Sequence, residues 1–297
     1  MKILCVIVIY EPNYKILKKN IQILKNQVNK ILLVNNGKKI ANIESSKIEQ
    51  IYFNANLGIA TAQNIGVDYA EKHRFDFCMF SDQDTYFQKN YISEAQKIYK
   101  KFYPKNKIFA LCPNLFDRNK KKLSGFTGRR GFFKKNYNYE IKNLSESAPN
   151  FIKITEAMSS GMIINLKILK KIGYYREDFF LDWIDFEICW RAVKNGYYIL
   201  GLPKIIGSHF LGKYNIKILG NIYHVHEVFR IYYIIRNGIY ISFYNKIFTL
   251  WKINILLNTL RYSLGYIIFM RPKILVIKFI LLGIYHGIFK KLGRMGT

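Results

Sequence analysis

The chain has 297 residues, half of them hydrophobic, which excludes a sequence unable to build a core and suits one large α/β domain with an appendage or two modest domains. Its 47 Lys and Arg stand against 19 Asp and Glu, and the resulting net charge of +28 calls for an anionic partner: nucleic acid, anionic lipid or a phosphorylated substrate. Cys5, Cys78, Cys112 and Cys189 lie far apart in apolar runs, so no CxxC or Cys/His metal spacing exists and buried free thiols in a reducing compartment are expected.

The first residues form a continuous apolar run, 3–9, as expected of a strand covered on both faces. The run lacks a small-residue cleavage site and leads into Glu11-Pro12, which fits a first strand better than a signal peptide. Residues 14–26 carry Ile16, Leu17, Ile21 and Leu24 at helical spacing, residues 31–34 and 48–53 read as strands, and residues 58–72 place Ile59, Ala62, Gly66, Tyr69 and Ala70 on one helical stripe. The next strand, 75–80, runs directly into Ser81-Asp82-Gln83-Asp84. This βαβ rhythm predicts a mostly parallel, doubly wound sheet with ligands at the carboxyl ends of its strands.

From about 113 to 150 the chain is polar and basic and reads as irregular loops with a hairpin. Residues 184–195 form a helix stopped by Gly196, and 197–202 form a strand closed by Pro203. The character changes after about 220. Residues 221–297 hold 11 Lys or Arg and a single acid, Glu227, among apolar and aromatic runs. The division expected is a catalytic domain over 1–220 and a basic, apolar, amphipathic helical tail over 221–297. No stretch reaches the roughly 18 uncharged apolar residues of a membrane-crossing helix.

Acids are scarce, so their clustering is informative. Five of the 19 fall between 177 and 187: Glu177, Asp178, Asp182, Asp185 and Glu187. Asp82 and Asp84, two apart just past a strand, can aim oxygens at a hard cation that in turn meets phosphate, or they can cap backbone amides of a turn. Asp185 opens a helix and either favours its dipole or serves as a general base. Glu187 and Arg191 are placed for an i, i+4 ion pair, and His209 is either structural or a ligand. Ser159-Ser160-Gly161 lacks the strand-turn-helix setting of a hydrolase nucleophile, and no phosphate-binding GxxxxGK[ST] or dinucleotide GxGxxG occurs.

In order along residues 1–240, the chain carries Val8-Ile9-Tyr10-Glu11-Pro12, Leu33-Val34-Asn35-Asn36-Gly37, Asn54-Ala55-Asn56-Leu57-Gly58-Ile59-Ala60 to Gln63-Asn64-Ile65-Gly66, and Phe80-Ser81-Asp82-Gln83-Asp84. Ser159-Ser160-Gly161, Phe179 to Arg191, His209-Phe210-Leu211-Gly212 and Arg230 to Asn237 follow. This ordered set resembles the family 2 inverting glycosyltransferases of the A-type nucleotide-sugar fold, in the bacterial rhamnosyltransferase-like branch that builds surface polysaccharides.

The resemblance implies that Tyr10, Glu11 and Asn35 line the nucleobase, and that Asn56, Gly58 and Asn64 form the nucleotide wall. Asp82 would lie by ribose and diphosphate. Asp84 would bind a divalent metal, Mn²⁺ or Mg²⁺, whose shell His209 completes. Asp185 inherits the base role, with Gly161 and Asp182 facing the acceptor. The family usually has Asp where this chain has Asn35, which leaves the nucleobase open. The donors suggested are dTDP-rhamnose and UDP-hexoses, and the acceptor a lipid-linked saccharide. The tail is expected to rest on the anionic inner face of a bacterial plasma membrane, the protein being cytoplasmic and peripheral. A core-packing role for the tail is the alternative. No nucleic acid is expected as a partner. A basic nucleic-acid binder, with Arg236-Asn237 among tyrosines stacking on bases, and a non-catalytic membrane scaffold are the rival readings.

Overall fold

The computed structural model describes residues 1–37, 43, 45–102, 104–144, 148–209, 214–218, 221–225 and 227–296. Strands β1 (Ile3–Ile9), β2 (Lys30–Asn35), β3 (Ile48–Tyr52) and β4 (Phe77–Asp82) are parallel, in the spatial order β3-β2-β1-β4. β1 is apolar throughout because both its faces are covered. Leu4 and Val6 join the core shared with helix α2 (Ile59–Lys72). Ile3, Cys5, Ile7 and Ile9 join the opposite core, with α1 (Tyr14–Leu24) and α3 (Tyr91–Lys101). Asn13 caps α1, its Oδ1 accepting from Lys15 N at 3.1 Å and Ile16 N at 3.3 Å. Gly66 lets α2 close on β1: a Cβ there would stand 2.6 Å from the Val6 side chain.

The second half widens this sheet. β5 (Tyr86–Phe87), β6 (Ile108–Asp117) and β7 (Lys122–Leu123) precede a separate hairpin of β8 (Phe126–Arg130) and β9 (Phe133–Tyr137). β10 (Ile152–Ile154), β11 (Ile163–Asn165), α4 (Leu166–Ile172), α5 (Ile184–Lys194) and β12 (Tyr198–His209) follow. β11 lies antiparallel between β4 and β6, β12 runs parallel to β6, and the ten-stranded sheet is mostly parallel with helices on both faces. All four cysteines are buried free thiols.

Two strand ends differ from expectation. β4 does not stop at Phe80; pairing with β1 carries it to Asp82, opposite Val8. Nor does Pro203 close the last strand. β12 shifts register between Leu202 and Ile206 and continues to His209, so Pro203 sits in an irregularity where its missing N–H costs no ladder bond. The stretch 113–150 holds the expected hairpin, but its beginning belongs to the central sheet through β6.

After hairpin β13 (Tyr214–Ile218) and β14 (Asn221–Val225) come three helices, α6 (Val228–Tyr244), α7 (Thr249–Phe269) and α8 (Lys273–Ile288). The boundary expected at 220 falls between those two strands, on residues outside those described. Ile231, Ile235 and Ile239 of α6 pack with Met270, Val276 and Ile280. Gly283 and Gly287 bring α8 close to α6: Cβ atoms there would stand 2.9 Å from Tyr232 O and 2.7 Å from Arg236 O. Trp251 and Ile255 of α7 join the main core, while Leu257, Leu264, Ile268, Ile274 and Leu281 of α7 and α8 face outward.

Candidate active site

The carboxyl ends of β1, β2 and β4 converge as the doubly wound pattern requires. Gln83 fastens two of them: its Oε1 accepts from Tyr10 N and its Nε2 donates to Tyr10 O, both at 3.0 Å. Asn20 of α1 donates to Asp82 O at 2.9 Å and Ser81 Oγ at 3.2 Å. Ser160 accepts from Asp82 N at 3.1 Å and donates to Thr85 Oγ1 at 2.8 Å. The acidic turn is therefore held from three sides by bonds that do not use its two carboxylates.

β5, directly after Asp84, pairs antiparallel with Gly207 and Ser208 of β12. That pairing delivers His209 to the turn. Its Nε2 lies 3.3 Å from both Asp82 Oδ2 and Asp84 Oδ1, and one ligand atom from each of the three residues falls within 4.8 Å of the others. His209 Nδ1 is buried with no partner among the described residues. Two carboxylate oxygens and an imidazole nitrogen gathered this closely suit a divalent cation. Burial raises the Asp82 pKa; the His209 charge counters it and the Asp84 charge adds to it. For His209, burial pulls the pKa down, but the Asp84 hydrogen bond and the two carboxylate charges outweigh it, so the net shift is upward.

Asp185 stands in the first turn of α5, its Oδ2 accepting from Ser159 N at 3.0 Å. Burial pushes its carboxyl up to about 6 against the pull of that hydrogen bond, and the Asp82 charge adds to the rise. A part-buried carboxylate poised near neutrality and electrostatically coupled to the acidic turn can take a proton from a bound hydroxyl.

Of the residues expected at the nucleobase, Tyr10 is half exposed and packs beside Gly37, Glu11 is exposed at φ 45°, and Asn35 is buried with its Oδ1 accepting from Gly37 N at 3.0 Å. Asn56 Oδ1 accepts from Gly58 N at 3.0 Å and from Asn36 Nδ2 at 3.2 Å. Gly58, at φ +85°, has no room for a Cβ, which would stand 2.7 Å from Phe180. Asn36, absent from the expected set although its run was recognised, is the staple here: it also accepts from Leu57 N and donates to Gly58 O.

Three further expected residues have contacts within the protein. Asn64 donates to Tyr175 O and Glu177 Oε1 and accepts from Tyr175 N, so its amide ties α2 to the segment before α5. Gly161 is buried, and a Cβ at its φ of +86° would meet Pro113 at 2.5 Å and Phe87 at 2.7 Å. Asp182 accepts from Arg230 through both oxygens. Arg236 and Asn237, the proposed base-stacking pair of the nucleic-acid reading, are fully buried and bonded to backbone carbonyls, so they offer no surface to a base. Glu187 and Arg191 form the expected ion pair at 2.7 Å. Phe210, Leu211 and Gly212 of the His209 run lie outside the described residues.

No protein-family model matches the chain. A dTDP-rhamnosyl transferase, RfbF, of Shigella flexneri is 30% identical over 243 residues, covering 80% of this chain and 78% of that protein. The chain belongs to the rhamnosyltransferase-like glycosyltransferases of the A-type fold. Solved structures agree on the architecture. GalNAc-T7 with UDP, GalNAc and Mn²⁺ superposes with a TM-score of 0.55 at 11% identity, over 74% of this chain and 44% of its own. TarS 1–349 of S. aureus in complex with UDP-GlcNAc superposes with a TM-score of 0.55 at 14% identity, over 94% of this chain and 79% of its own. The acidic turn of this glycosyltransferase lies at the strand ends where such a fold binds ligands.

Proposed function

We propose that the protein is an inverting, metal-dependent transferase that moves rhamnose, or a related hexose, from a nucleoside-diphosphate donor to a growing, lipid-linked surface polysaccharide. The observation that carries this reading is the meeting of Asp82, Asp84 and His209, from turn and strand 125 residues apart, in a chain related to a dTDP-rhamnosyl transferase. Tyr10, Glu11 and Asn35 take the nucleobase and the Asn56–Gly58 turn, stapled by Asn36, walls the nucleotide. Asp84 and His209, with Asp82 beside them, would hold Mn²⁺ or Mg²⁺, which when bound supplies positive charge opposite diphosphate oxygens.

Asp185 performs the proton transfer. Ser159 N–H fixes one of its oxygens, and the other accepts the proton of the acceptor hydroxyl as that oxygen bonds to the anomeric carbon. The bond from that carbon to the diphosphate breaks with its electron pair on the leaving oxygen, and attack from the opposite side inverts the centre. The informative experiment is a thermal-shift panel of nucleotide sugars with Mn²⁺ or Mg²⁺, followed by product analysis. A chain that no nucleotide sugar stabilises, and that turns none over, would not be this enzyme.

The setting proposed is the inner face of a plasma membrane. No helix among the described residues is long and apolar enough to cross a membrane. α7 and α8 nevertheless expose Leu264 at 63%, Ile268 at 61% and Ile274 at 85%, with Lys252, Arg261, Lys273 and Lys278 on the same helices. Apolar faces flanked by cations and free of acids suit an anionic lipid surface, where a lipid-linked acceptor is presented.

A further inference from the structure

Arg230 occupies the first turn of α6, in the helical tail, and its guanidinium meets Asp182 in the loop before α5. Its Nε donates to Asp182 Oδ2 at 3.2 Å and its Nη2 to Asp182 Oδ1, a two-pronged pair that is only part-buried. It is close enough to Asp82 that each favours the charged form of the other. Tyr266 of α7 lies in the field of the same pair.

The placement is built by the backbone, not by the ion pair alone. The loop 179–183 before α5 holds Phe180, Asp182 and Trp183 at φ of 60°, 63° and 65°, a left-handed conformation that side chains resist. α6 holds it there. Asn237 Nδ2 donates to Phe179 O, Leu181 O and Asp182 O, Arg236 Nη2 to Phe179 O, and Trp183 Nε1 to Ile234 O. With the loop fixed by those bonds, the Arg230–Asp182 pair is not needed to hold it, and the charge of Arg230 reaches Asp82 of the acidic turn.

We propose that Arg230 binds the donor's diphosphate and that Asp182 holds the guanidinium in place until the nucleotide arrives. The inference rests on the nucleotide-sugar reading above and assigns one of its binding groups to the tail. A divalent ion would only balance Asp82 and Asp84, whereas a nucleoside diphosphate brings at least two further negative charges. A guanidinium presents the same paired N–H groups to carboxylate and to phosphate, so diphosphate oxygens can replace those of Asp182. α6 thereby makes the tail part of the donor site.

The test is calorimetric binding of dTDP, UDP, thymidine and uridine with Mn²⁺, using the full chain and the variants Arg230→Gln, Arg230→Lys and Asp182→Asn, each checked by thermal midpoint. Arg230→Gln is expected to weaken the diphosphate that the unaltered chain prefers by about 10- to 100-fold, the range for a charge-assisted hydrogen bond, and to leave nucleoside binding unchanged. Arg230→Lys, which keeps the charge without the fork, should lose less. Asp182→Asn should bind the diphosphate as well or several-fold better. Equal diphosphate affinity in the unaltered chain and Arg230→Gln overturns the inference, as does an Asp182→Asn variant weakened as much as Arg230→Gln. An unaltered chain that binds neither diphosphate overturns the nucleotide-sugar reading itself, and this inference with it.

Discussion

Replacing Asp185 by Asn removes a carboxyl whose ionisation works against the fold. Its folded-state pKa of about 6 stands above the ordinary 3.8. Between those values the folded protein keeps a proton that the unfolded chain releases. The carboxyl's contribution to stability is therefore full below about pH 3.8 and is lost as pH rises through 6. A gap of roughly two units corresponds to about 3 kcal/mol, an upper figure for a part-buried group. Asn carries no charge and can still accept the Ser159 N–H. Asp185→Asn should thus be more stable than the unaltered protein at pH 8, by up to ~3 kcal/mol or several degrees of melting temperature, and no more stable at pH 4. Transfer should fall by roughly 10²- to 10⁴-fold, the usual worth of a general base, with donor binding nearly intact. Urea unfolding at the two pH values and a radiolabelled transfer assay measure both. A stability difference independent of pH would refute the electrostatic argument, and substantial retained transfer would remove Asp185 from the mechanism.

Asp84→Ala should abolish metal-dependent donor binding, and unchanged affinity for the nucleotide sugar in Mn²⁺ would refute the cation site. Gly66→Ala should cost about 1–3 kcal/mol in urea unfolding, because the added Cβ meets Val6 of β1 at 2.6 Å and neither element can retreat without opening the core. The pair Leu264→Ser and Ile268→Ser should reduce co-flotation with phosphatidylglycerol vesicles while leaving the thermal midpoint within about 1 °C, since both side chains are exposed. Undiminished flotation would move the lipid contact elsewhere.

The first four strands and the helices between them were legible because their signals are local: unbroken apolar runs for strands buried on both faces, and 3.6-residue spacing for α1 and α2. The placement of Asp82 and Asp84 followed from the end of β4. What the sequence could not disclose depends on long-range pairing. His209 reaches the turn only because β5 pairs with β12, and Pro203 argued for stopping that strand early. Asn64 and Asn56 look alike as amides in a recognised run, yet the first bonds to Tyr175 and Glu177 across the fold while the second bonds locally to Asn36 and Gly58. Asp182 gave no sign of Arg230, which is 48 residues away, and Ser160 gave none of its bond to Asp82 N. In each case the partner, not the residue itself, decides the role.

The irregularity in β12 sets a rule for what lengths evolution can tolerate there. Leu202 pairs with Pro113 and Ile206 with Asn114, so residues 203–205 are surplus to the ladder and only the segment beyond them carries His209. Strand side chains alternate faces at every step, so deleting one residue while the bulge kept its length would turn the imidazole to the far side of the sheet. Losing two would keep the face but move the ring a full repeat along the strand. Natural relatives that keep the cation site should therefore keep this count, whatever residues they place in it, and a comparison of insertion lengths would reveal an active site guarded by arithmetic as well as by chemistry.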